Sequence, residues 1–303
     1  MHSSFNLLRR AHPVWMCGMR PFFLLAMVSA LGLLGLWGAV LGLGVAPPLV
    51  AGGPIVWHVH ELVFGFAMAG VAGFALTALP EFTGERGASR AQLQGLVLLW
   101  LIARAGFWAS GWGGAAALWL AAAAQVALPL AVLVVLLPAL RTATGRRHWS
   151  FAWALLALAG VALGFYADAL RGVAGLRWLH ATLGVLMLLI VVAASRISMR
   201  MVNSAIEQVM PGAAPYLARP PKRHLAALCI TLATLAQFAR LGTALAGWLA
   251  LAAAAAMFHL MSDWHVGPAL WRRRFPLLLY SMYACMALGF AALMGTLTFH
   301  TGR

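Results

Sequence analysis

The strongest constraint on this chain is a succession of apolar runs, each long enough to cross a membrane. They fall near 22–46, 55–79, 91–111, 115–139, 150–167, 178–195, 224–241, 242–260 and 276–299, with hardly a charged side chain inside them. At about 1.5 Å per residue, runs of this length match the roughly 30 Å of hydrocarbon in a bilayer. The seventh and eighth need a division, because one helix from Arg223 to Met261 would be about 60 Å long. The break is placed at Arg240-Leu241-Gly242-Thr243. Backbone in hydrocarbon must satisfy its own hydrogen bonds, and unbroken apolar runs do so as helices. The predicted fold is therefore all-α, a polytopic transmembrane bundle of about nine spans. Composition agrees: 63% hydrophobic and 9% charged residues in 303 leave too little polar surface to coat a water-soluble globule.

The net charge of +15 suggests nucleic acid until the basic residues are sorted by loop. With a cytoplasmic N-terminus, sixteen Arg and Lys fall on the inner side and four, Arg171, Arg177, Arg240 and Arg303, on the outer side. That asymmetry is the positive-inside pattern of a multi-pass membrane protein with a cytoplasmic N-terminus, and nine spans put the C-terminus outside. The bilayer is the implied partner, and nucleic acid is excluded. Arg9, Arg10 and Arg20 precede a run too long for a signal-peptide core, so the first span is expected to stay. Cys17, Cys229 and Cys285 are odd in number and widely spaced, which signals neither a disulfide framework nor a thiolate metal site. The prolines between Met201 and Arg223 predict a cytoplasmic loop at 201–223, dividing a six-helix part, 1–200, from a three-helix part, 224–303.

This topology sorts the ten histidines. His2, His12, His148, His224, His259 and His265 lie in or beside inner loops. His58, His60, His180 and His300 all fall at outer helix ends. Imidazole is a common ligand of haem iron and copper, and facing helices build such sites at one level of a bundle.

One stretch concentrates these features: Trp57-His58-Val59-His60-Glu61, opening a long apolar run. On an α-helix His58 and Glu61 share a face, while His60 points about 200° away. Gly65, Ala69 and Gly73 form a small-residue stripe below Glu61, suited to close helix packing or to a flat macrocycle. Arg104, the one basic residue deep within a span, sits on the outer half of the third run. A Glu61–Arg104 pair accounts for both charges. Alternatively Glu61 orients a ligating histidine and Arg104 holds a haem propionate or an anionic substrate. Soft donors recur at Met282, Cys285 and Met286, and at Met257 and Met261 around His259; they suit either Cu(I) or core packing.

Several of these segments together resemble the NnrS family: Gly18-Met19-Arg20-Pro21-Phe22-Phe23, Trp57-His58-Val59-His60-Glu61, Phe64-Gly65-Phe66, Gly73-Phe74-Ala75-Leu76-Thr77-Ala78-Leu79-Pro80, Thr83-Gly84 and His300-Thr301-Gly302-Arg303. The resemblance implies a haem- and copper-containing bacterial inner-membrane protein tied to nitric oxide metabolism and to protection against nitrosative stress. Carried over residue by residue, it implies metal ligation by His58, His60, His180 and His300. The chain departs from the family pattern at Glu81 and Phe82, and at Tyr280, where that pattern has histidine. Two other classes stay open on the residues alone: a small-molecule transporter with a polar site at Glu61 and Arg104, and a metal-free assembly subunit. Haem proteins that bind nitric oxide reduce it, oxidise it or report it, and the sequence does not separate these.

Overall fold

The computed structural model describes residues 13–209, 211–212, 220–264 and 274–299. Its described residues form nine long helices: α1 Met19–Leu43, α2 Gly53–Thr83, α3 Arg90–Trp108, α4 Ser110–Arg141, α5 Ser150–Leu170, α6 Leu176–Val209, α7 Pro220–Phe238, α8 Thr243–Met261 and α9 Arg274–Phe299. All except α7 are long and apolar enough to cross a membrane. α7 falls short because it opens on Pro220-Pro221-Lys222-Arg223-His224, leaving its apolar part to begin at Leu225. The expected break between the seventh and eighth runs is present. Arg240 adopts φ 53° and Gly242 φ 100°, left-handed backbone that ends α7 and lets α8 start at Thr243.

The chain forms two compact units, Met1–Thr182 and Leu183–Arg303, and their boundary falls inside α6. The loop expected from 201 begins later, since α6 stays helical to Val209. No proline or glycine interrupts 196–209, so nothing in that stretch stops the helix.

In the first unit, close approach is set by small residues. A Cβ on Gly73 would stand 2.9 Å from the Phe22 Cβ, and one on Gly106 would stand 2.9 Å from the Ala121 backbone nitrogen. α1 therefore lies against α2, and α3 against α4, nearly backbone to backbone. The Met19 N–H donates to Thr77 Oγ1 at 2.9 Å, tying the start of α1 to α2. Ser89 and Gln92 form a reciprocal capping box at the start of α3. Leu24, Met27, Val28, Leu31 and Leu34 of α1 are exposed, as side chains facing lipid should be.

In the second unit the core is a cluster around Met257, Met261, Trp264, Tyr283 and Met286. Lys222 bridges the start of α7 to the end of α8, with Nζ 2.8 Å from Asp263 Oδ1 and 2.6 Å from Ser262 Oγ. Placing Lys222 there buries its charge against a carboxylate instead of leaving it unpaired.

Candidate functional site: a buried polar relay in the first unit

The second helix changes its winding at the residues the sequence singled out. Gly53–His60 is α-helical, Glu61–Ala67 forms a π-helical turn, and Met68–Thr83 returns to α. π-turns recur at functional sites and widen the spacing of the backbone ladder. Where this one begins, Glu61 Oε1 lies 2.9 Å from Nδ1 of His60. The Glu61 N–H still donates to the Trp57 carbonyl, the α-helical pattern expected for 58–61, but the carboxylate bonds His60 and not His58.

From Glu61 the polar contacts run across four helices. Arg104 Nη1 on α3 donates to Glu61 Oε1 at 2.7 Å, which makes the anticipated ion pair. Nη2 of Arg104 donates to the side-chain oxygen of Gln125 on α4. On the other side, His60 Nε2 lies 3.0 Å from the Tyr166 hydroxyl of α5. All five side chains are buried. Gly65 makes the arrangement possible, since a Cβ there would come within 3.3 Å of Glu61 Oε2 and 3.5 Å of Arg104. Its carbonyl, in the π-turn, accepts from Trp100 Nε1 at 3.0 Å.

Aromatic rings pack the relay on every side. His60 stacks on Phe107 with centroids 3.5 Å apart and meets Phe64 and Phe165 at 5.2 and 5.0 Å. With both nitrogens engaged and the ring enclosed, His60 has no free lone pair to offer a metal in this arrangement. His58 differs. It stacks on Trp37 of α1 at 4.3 Å, and its Nδ1 is buried with no hydrogen-bond partner. Trp57 Nε1 and Arg104 Nε are likewise buried and unpartnered.

His180 is exposed on α6, and His300 is outside the described residues. Among the described residues no three His, Cys, Asp or Glu side chains gather closely enough to hold a metal ion. Of the soft donors of the second unit, Met257, Met261 and Met286 share its apolar core with Met282 packed against it, while His259 and Cys285 are exposed. Unbranched thioethers fill irregular core space, which suits these positions.

Gln125 and Tyr166 were not anticipated from sequence. Gln125 interrupts the apolar run of α4, and an amide at that depth must find a partner, so it was the available signal. Asp168 is the other buried carboxylate described in the first unit, held by Arg177 Nε at 3.1 Å and by Trp178 Nε1 at 2.9 Å where α5 passes to α6.

A family model described as NnrS protein matches residues 13–301, nearly the whole length. The chain belongs to the NnrS family. Membership places it among nitric-oxide-related membrane proteins, in keeping with its many apolar helices. No curated protein and no solved structure matches this NnrS-family chain.

Proposed function

We propose that this NnrS-family chain is a haem protein of the bacterial inner membrane that acts in nitric oxide metabolism or in protection against nitrosative stress. The haem sits at the periplasmic end of the first unit, with His58 as its protein ligand. The observation that supports this reading is the contrast between two histidines one residue apart. His60 has both nitrogens occupied, whereas His58 keeps a buried nitrogen without a partner, and such a nitrogen is costly unless a ligand takes it. The residues present thus fit an imidazole-bound haem at His58. Copper is not part of this reading: Met257, Met261 and Met286 sit in the apolar core of the second unit, where thioethers serve as packing.

Bound haem would supply an iron centre able to take nitric oxide. The chain's own contribution is positional. Trp37 holds the His58 ring by stacking, and Trp57 and Trp108, at 5.6 Å, wall the same end with aromatic surface. Glu61, fixed by Arg104, holds His60 and so pins the end of the α-helical turn that presents His58.

Haem content decides the reading. Soret absorbance per folded protein should be lost in His58→Gly and partly restored by added imidazole, which enters the vacated space. His60→Gln should keep most of its haem, and His180→Ala is measured in the same series for a second ligand. Wild-type haem in His58→Gly would refute the assignment.

A further inference from the structure

Tyr166 is given no role in the haem reading above, and its buried hydroxyl lies 3.0 Å from His60 Nε2. We infer that Tyr166 is a proton-coupled one-electron donor, a tyrosine built to be oxidised by a small radical oxidant and to pass its hydroxyl proton to His60.

The argument starts from the direction of the hydrogen bonds. Glu61, ion-paired with Arg104 at 2.7 Å, is a carboxylate and can only accept. The nitrogen facing it, His60 Nδ1 at 2.9 Å, must therefore carry a proton, and a neutral ring then has its lone pair on Nε2. Nε2 faces the Tyr166 hydroxyl at 3.0 Å, so the phenol donates to it. A base is thus already hydrogen-bonded to the phenol, and a carboxylate stands behind that base to steady the imidazolium formed when it takes the proton.

Removing an electron from a buried phenol that kept its proton would leave an uncompensated positive charge in an apolar interior. Here the charge moves to His60, beside Glu61. Phe165 and Phe107 pack edge-on around Tyr166 at 5.1 and 6.5 Å and keep water from the radical. Tyr283 supplies the contrast: it is just as buried, but its hydroxyl has no hydrogen-bond partner and hence no base.

The oxidant class is an uncharged nitrogen oxide radical, nitrogen dioxide, which forms where nitric oxide meets dioxygen. Being small and neutral, it enters an apolar bundle at little cost. In the step, the Tyr166 O–H bond breaks and its proton forms an N–H bond at His60 Nε2. One electron passes to nitrogen dioxide, giving nitrite and a neutral tyrosyl radical. Only the identity of the oxidant rests on the nitric oxide reading, and the test does not read haem, so the two can fail separately.

The test exposes the purified full chain in micelles to nitrogen dioxide generated by pulse radiolysis of nitrite, with freeze-quench electron paramagnetic resonance as the readout. The wild type should give a neutral tyrosyl spectrum that forms more slowly in deuterium oxide. Tyr166→Phe should lose it, and His60→Gln should form it more slowly and in lower yield. The chain has four tyrosines, Tyr166, Tyr216, Tyr280 and Tyr283. A triple variant with the other three changed to Phe should retain the signal, which keeps the test decisive even if Tyr166→Phe fails to fold. A tyrosyl signal absent from the wild type or the triple variant, one that survives Tyr166→Phe, or formation unaffected by His60→Gln would each overturn the inference.

Discussion

Breaking the Glu61–Arg104 pair from each side separately should reveal whether the relay holds the first unit together. At 2.7 Å and an effective dielectric of about 20, the gross attraction is about 6 kcal/mol. Most of that offsets the desolvation of two buried charges, so the measurable quantity is the cost of stranding one of them, roughly 3 to 5 kcal/mol. Glu61→Gln keeps an amide oxygen for His60 Nδ1 but leaves Arg104 with only Gln125. Arg104→Met strands Glu61 and also takes the partner from Gln125, adding about 1 to 3 kcal/mol for the buried amide. In the double variant neither charge exists. Its loss should fall short of the sum of the single losses by up to about 3 kcal/mol, the upper range for directly bonded neighbours. Unfolding of the purified protein in mixed micelles with increasing dodecyl sulfate measures all three losses. Strict additivity would refute the coupling. Haem content and protection from nitric oxide separate structure from function: the double variant should recover folded yield without recovering either. Full recovery of both would make the pair structural only.

The other predictions concern topology and packing. Alkaline phosphatase fused after Arg90 should be inactive and after Arg303 active, as nine crossings from a cytoplasmic N-terminus require. A fusion after Arg240 should be active if α7 crosses, and an inactive one would remove α7 from the membrane count. Gly106→Val should cost about 1 to 3 kcal/mol in the same micelle assay, because a Cβ there meets the α4 backbone at 2.9 Å. Gly32→Ala, with nothing within 4 Å, should be neutral or stabilise by up to about 1 kcal/mol. Equal losses at the two glycines would refute the backbone-to-backbone account of α3 against α4.

The helices themselves were readable in the sequence, because the bilayer imposes a length and an apolar composition that one segment must satisfy alone. The apolar runs near 22–46 and 115–139 reappear as α1 and α4 with ends shifted by a few residues, and the turn at Arg240–Gly242 follows from the length limit. The need for a partner to Glu61 was also legible, since an unpaired charge at that depth is expensive. Which groups answer that need was not. Glu61 bonds His60 and not His58, and the winding turns π at Glu61–Ala67, a local change that no periodicity rule for a uniform helix foresees. Gln125 and Tyr166 lie 64 and 105 residues beyond Glu61, so only the packing of α4 and α5 against α2 could deliver them. Sequence set where the chain crosses, because crossing is a property of each segment. Tertiary structure decided which histidine is locked and which is free, because hydrogen-bond partners are supplied by neighbouring helices.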